Sequence, residues 1–307
     1  MSIFKKEPHF FFNEAPNEDD SFDFSIYCPH PFTNWSLNPS YQPKGQLKQH
    51  TLEGFRKTCD KASIRGAKET NFSIYCIGGS TTYCTEIYDF KETWPHKLAK
   101  NIEADVFNAG VGGWGTLQSL IRYSAWGPIL KPNLTIIYQS KNDLTPFYNG
   151  RSEQDSIMPL LDNITLQMSG QMGNSPKAFK KNNNGIASVY TKYMSPSDQG
   201  LSRFSEESYL LTKTRYQMMA QLSQTWGGHV LFIPELIRGG AYLPFMNKLH
   251  EAMQFVVKEN IGSHYFDIRE LLPLQDDYFQ DKMHFSPSGC DLFSEILSTQ
   301  IKKIFIN

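Results

Sequence analysis

The chain contains no apolar run of the roughly 18 residues that a membrane-spanning helix requires. Its start, Met1-Ser-Ile-Phe-Lys-Lys-Glu, is basic but is not followed by the apolar stretch of a secretory leader, so no export route is expected. Cysteine is scarce and scattered: Cys28, Cys59, Cys76, Cys84 and Cys290 show no CxxC spacing. That pattern excludes a zinc ribbon and offers no disulfide framework, and a reducing cytoplasm is the expected location. There is no excess of either charge, with 30 Lys and Arg against 31 Asp and Glu for a net charge of −1. A global basic field that would attract nucleic acid is therefore absent. No HExxH string or histidine cluster calls for a metal, so no cofactor is expected. Internal repeats are also lacking.

What is present is rhythm. Residues 1 to about 65 read as an irregular N-terminal extension lying on the main domain, because Pro29, Pro31, Pro39 and Pro43 break helix and central strand alike. From there to residue 307, apolar runs of strand length at 72–77, 105–107, 134–139, 229–233 and 264–268 alternate with helical patterns at 92–102, 116–126, 207–225, 244–260 and 287–304. Such alternation predicts an α/β fold, a three-layer α/β/α sandwich around a parallel sheet of about five strands. The stretch from about 149 to 205 interrupts it with Lys180-Lys-Asn-Asn-Asn-Gly185 and reads as a long insertion, a length usually kept for functional loops.

Ligands of open parallel sheets bind beyond the carboxyl ends of the strands. Four strings fall at such ends. Gly78-Gly79-Ser80-Thr81-Thr82 follows the first strand, and Asn108-Ala-Gly110-Val-Gly112-Gly113 follows the second. Ser140-Lys141-Asn142-Asp143 follows the third, and Asp281-Lys-Met-His284 lies after the fifth, before the last helix. A serine hydroxyl is a weak nucleophile until a base takes its proton, and a histidine needs a third group to hold its tautomer. Taken singly, each string has another reading: a phosphate-cradling turn at a helix start, glycines for turn geometry and close helix packing, a helix cap or Asx turn, a structural histidine. Together, and in this order, they point to one site.

The combination resembles the SGNH (GDSL-like) hydrolase superfamily over roughly residues 72–304. Ser80 matches the nucleophile block, Gly113 the second, Asn142 the third, and Asp281 with His284 the DxxH block. Two departures stand out. Gly-Asp-Ser-Leu becomes Gly78-Gly79-Ser80-Thr81, and Gly-x-Asn-Asp becomes Ser140-Lys141-Asn142-Asp143. The resemblance implies a flavodoxin-like fold and an ester hydrolase that forms an acyl-enzyme on Ser80. His284 would be its general base and acid, and Asp281 would orient the imidazole. The Ser80 and Gly113 N–H groups and the Asn142 amide would form an oxyanion hole, where one donor is typically worth about 100- to 1000-fold in rate. Gly113 is expected to be glycine because a side chain would crowd the reacting carbonyl. Trp114, Phe147 and Tyr148 flank these blocks and could form a substrate platform or pack the loop bases. The polar insertion leans the expectation towards a short-chain (acetyl) esterase acting on a carbohydrate or other polar ester. A lipolytic esterase or thioesterase, an O-acyltransferase and a non-catalytic binding module are the alternatives.

Overall fold

A computed structural model describes residues 26–30, 32–43, 47–64, 70–148, 201–202 and 204–306. Most of the expected insertion and the first part of the N-terminal extension fall outside these residues. Within the latter, Tyr27–His30 (β1) and Asn34–Leu37 (β2) pair as a short antiparallel hairpin.

The main sheet is built from Ser73–Gly78 (β3), Asp105–Asn108 (β4), Leu134–Tyr138 (β5), His229–Ile233 (β6) and Ser263–Tyr265 (β7). All four pairings are parallel, in the order β4-β3-β5-β6-β7. Counted from β3 as the first strand, this is the 2-1-3-4-5 order of doubly wound flavodoxin-like sheets, with the switch of direction at β3 and β5. Every residue of β3 and β5 is buried, as expected of central strands covered on both faces.

Alternation along the strands divides the core in two. Ile74, Cys76, Ile136, Tyr138, Leu231 and Ile233 face helices Trp94–Ile102 (α2) and Pro287–Ile301 (α7), packing against Trp94, Leu98, Phe293 and Leu297. Tyr75, Ile77, Ile137, Val230 and Phe232 face Thr116–Leu130 (α3), Glu206–Gln224 (α5) and Leu243–Glu259 (α6), meeting Tyr123, Tyr216, Met219 and Met253. Two short helices, Ser80–Tyr83 (α1) and Lys141–Tyr148 (α4), start directly beyond β3 and β5. Among the described residues, no helix is long and apolar enough to cross a membrane.

Element ends differ from the sequence expectation in instructive ways. α3 runs on through Pro128 to Leu130, because proline in the last turn forfeits one bond without ending the helix. It stops at Lys131, which turns left-handed at φ 43° and donates its N–H to Gly127 O at 2.7 Å. The edge strand β7 is shorter than expected, since Ile268–Glu270 forms a 3-10 turn capped by the Asp267 carboxylate.

The N-terminal residues reach the segment beyond β3 directly. The buried Arg56 guanidinium lies 4.2 Å from the centre of the Tyr83 ring and donates to the Tyr83 and Cys84 carbonyls at 3.0 Å each. His50 donates from Nδ1 to Asn38 O at 2.6 Å and accepts at Nε2 from the Tyr83 hydroxyl at 2.9 Å, so both ring nitrogens are satisfied in the neutral state. His250, on α6, is also buried and neutral. Its Nδ1 faces Arg269 Nη1 at 3.5 Å and must accept, so Nε2–H donates to Ser140 Oγ at 3.2 Å.

Burial lowers both imidazole pKa values to about 3; an Asn38 bond opposes this at His50 and nearby Arg56 charge assists, while Arg269 assists at His250. The folded protein thus refuses protons that the unfolded chain accepts below pH 6.5. Stability should therefore fall as pH drops from about 6.5 towards 3, by about 1.4 kcal/mol per pH unit for each histidine. Melting temperatures from pH 7.5 to 4.5 check this. His250→Gln should reduce the slope whatever it does to the absolute value, and an unchanged slope would refute the assignment.

Candidate active site

Four loops meet at the carboxyl rim of the sheet. Ser80 opens α1 immediately beyond β3 and is half-buried. Its hydroxyl donates to His284 Nε2 at 2.8 Å, across 204 positions of sequence. On the other side of the ring, His284 Nδ1–H donates to Asp281 Oδ2 at 2.6 Å. The second oxygen of Asp281 closes its own loop, accepting the backbone N–H of Met283 and of His284 at 2.7 Å each. This Asx turn explains the three-residue spacing: the carboxylate that orients the ring also folds the segment carrying it. The following helix is fixed by Ser286, whose Oγ accepts the Gly289 N–H at 3.1 Å, with Pro287 in the first turn.

Burial pushes the Asp281 carboxyl up. The His284 backbone N–H, the imidazole and the Met283 N–H outweigh that and hold it below the usual carboxylate range. Asp281 consequently remains an acceptor for the imidazole throughout the neutral range.

Asn142 enters from the first turn of α4. Its Nδ2 donates to Trp114 O at 3.0 Å, and the same carbonyl accepts from Gln139 Nε2 at 2.7 Å. The amide lies against the residue preceding Ser80: a Cβ built on Gly79 would sit 2.2 Å from Asn142 Nδ2. A side chain at 79 would therefore require the Asn142 amide to move aside. Asp143 turns away and accepts from the Thr116 N–H at 2.8 Å and hydroxyl at 2.7 Å, tying α4 to the start of α3.

Gly113 is exposed and left-handed at φ 80°, a conformation that favours glycine. A Cβ there would meet the Trp35 ring at 3.0 Å. Trp35, on β2, donates its indole N–H to Gly112 O at 3.0 Å, and Trp114 returns the bond to Trp35 O, also at 3.0 Å. This reciprocal pair was not foreseen from sequence; contact across 77 positions leaves no local pattern to read. Among the described residues, the Ser80 and Gly113 backbone N–H groups have no hydrogen-bond acceptor.

Of the flanking aromatics, Trp114 and Phe147 are buried, Phe147 edge-on to Phe204 at 5.5 Å, so they pack the loop bases. The side chain of Tyr148 lies outside the described residues. Lys141 extends over the Tyr242 ring at 5.2 Å. Burial lowers its pKa, although the Glu235 and Asp281 charges oppose the shift. Glu86, Asp281 and His284 each offer a ligand atom within 4.8 Å of the others. A cation held by all three would compete with the hydrogen bonds that His284 makes to Asp281 and Ser80.

No family model matches the sequence, and no curated protein does. Solved structures similar to the chain include the psychrotrophic esterase EstA from Pseudoalteromonas sp., at 12% identity over 77% of this chain and 100% of that one, with a TM-score of 0.49. An acetyl xylan esterase, Axe2, from Geobacillus stearothermophilus is 12% identical over 76% of this chain and 95% of that one, with a TM-score of 0.49. A member of the lipolytic G-D-S-L family from Veillonella parvula DSM 2008 is 13% identical over 77% and 99%, with a TM-score of 0.45.

Proposed function

We propose that this chain is a serine ester hydrolase of the SGNH type, with residues 66–307 as the hydrolase domain. The observation that carries the proposal is the unbroken hydrogen-bond chain from Ser80 through His284 to Asp281. His284 Nε2 takes the Ser80 proton as Oγ attacks the ester carbonyl, and the imidazolium is stabilised by Asp281. The tetrahedral oxyanion is held by the Ser80 and Gly113 N–H groups and by the Asn142 amide. Collapse breaks the C–O bond to the leaving alcohol, which takes its proton from His284. Water, deprotonated by the same ring, then releases the acid from the acyl-enzyme and restores the Ser80 hydroxyl. The residues in these roles supply the acid–base and electrostatic chemistry themselves.

Short acyl groups on a carbohydrate or other polar alcohol are the proposed substrates. Two observations lean that way: the polar composition of 149–205, and the burial of Trp114 and Phe147 as packing residues. A cytoplasmic location is proposed from the composition and accords with five free cysteines, of which Cys84 and Cys290 lie with their sulfurs 4.0 Å apart and not joined by a disulfide.

Hydrolysis of p-nitrophenyl esters from acetyl to dodecanoyl tests the function. Turnover should be greatest at acetyl and fall steadily with chain length. A maximum at long chains would transfer the protein to lipid or thioester substrates, and faster ester consumption on adding a sugar acceptor would mark a transferase. Absence of turnover throughout the panel and on acetylated sugars would overturn the hydrolase proposal.

A further inference from the structure

Glu235 lies two residues beyond β6, is 3% exposed, and takes no part in the reaction just described. Its Oε1 accepts the Thr81 hydroxyl at 2.7 Å. Its Oε2 accepts the backbone N–H of Ser140 at 2.8 Å and of Lys141 at 2.7 Å, with the Ser140 hydroxyl at 3.3 Å. All four partners are donors, the set that an ionised carboxylate accommodates. Thr81 is the residue after the nucleophile; Ser140 and Lys141 are the two before Asn142. One buried side chain therefore spans the loops that follow β3, β5 and β6.

The placement has a physical logic. The first N–H groups of a helix lack intrahelical acceptors, and a carboxylate satisfies them while complementing the positive end of the dipole. Here those groups belong to α4, which carries Asn142 in its first turn. The other carboxylate oxygen grips α1, which begins at Ser80. Behind Oε2 the bonding continues: Ser140 Oγ accepts from His250, whose other nitrogen faces Arg269, paired in turn with Asp267. The link is thus backed by a further chain of polar side chains.

We propose that Glu235 is a positioning residue that sets the separation between the Ser80 hydroxyl and the Asn142 amide, so that both act on one carbonyl. The inference rests on the roles given above to Ser80 and Asn142. Glutamine can keep the bridge: its oxygen takes the two backbone N–H groups, and its NH2 donates to Thr81, whose hydroxyl rotates to accept. Alanine cannot.

The test is steady-state kinetics on p-nitrophenyl acetate, below the melting temperature of each variant, with Ser80→Ala beside them. Glu235→Ala should lower kcat about 10- to 100-fold with KM within about 3-fold of wild type, the size expected when reacting groups shift by about 1 Å. Glu235→Gln should recover kcat to within about 3-fold of wild type if geometry rather than charge is what matters. Thr81→Val removes one anchor, leaves the carboxylate three donors, and should lower kcat several-fold even if the alanine variant fails to fold. Wild-type kcat in Glu235→Ala or in Thr81→Val would overturn the proposal, as would a Gln variant no better than Ala. Turnover surviving in Ser80→Ala would instead refute the underlying site.

Discussion

Ser80→Ala is expected to lower kcat on short-chain esters by about 10,000-fold or more, and His284→Ala by a similar factor. In the proposed mechanism the two residues act through one proton, passed along the 2.8 Å bond between Oγ and Nε2. Their effects should therefore fail to add: the double variant should be no slower than the worse single one. This separates a shared proton path from two independent contributions to substrate binding, which would multiply. Circular dichroism should remain native, since Ser80 is only half-buried and its side chain is not part of the core. A Ser80→Ala enzyme within tenfold of wild type, at matched concentration and free of contaminating esterase, would remove Ser80 as nucleophile.

Asp281→Asn should cost about 1,000- to 10,000-fold in kcat. Two backbone N–H groups, from Met283 and His284, donate to Oδ1 and require an acceptor oxygen there. An asparagine at this position must turn its amide oxygen to them, leaving its NH2 facing His284 Nδ1. The imidazole then carries its proton on Nε2 and presents Ser80 with a donor where an acceptor is needed. Asn should consequently be at least as damaging as Asp281→Ala, although it is the closer match in shape. Comparing kcat for the two variants at one pH decides it, and an asparagine enzyme near wild-type rate would show that the carboxylate only folds the loop.

Much of the architecture was legible because central parallel strands must be apolar on both sides. Ser73–Gly78 and Leu134–Tyr138 are wholly buried, and runs of this kind stand out in a sequence. The four strings were legible for a related reason, each following a strand on the rim where ligands bind. Local chemistry foresaw less of what holds them. Trp35 touches the Gly112 loop from 77 positions away, and Glu235 reaches Thr81 across 154. Neither distance leaves a periodic trace. A weak sign did exist for Glu235, a carboxylate placed directly after an apolar strand in Ile233-Pro234-Glu235. The indole beside Gly113 was likewise not legible, since it comes from a hairpin in a stretch that read as irregular.

The reciprocal indole bonds between Trp35 and the Gly112–Trp114 turn have a consequence for the order in which the chain folds. The hairpin, the serine turn, the asparagine helix and the histidine loop are drawn from residues 35 to 284, so no subset of neighbouring segments can assemble the site alone. Contacts so distant in sequence form late, after loop closure has joined the strands. Early collapse and helix formation should leave the chain inert. Recovery of the proposed activity after dilution from denaturant would then trace the last steps of folding, making turnover a clock for completion of the sheet and the docking of its N-terminal hairpin.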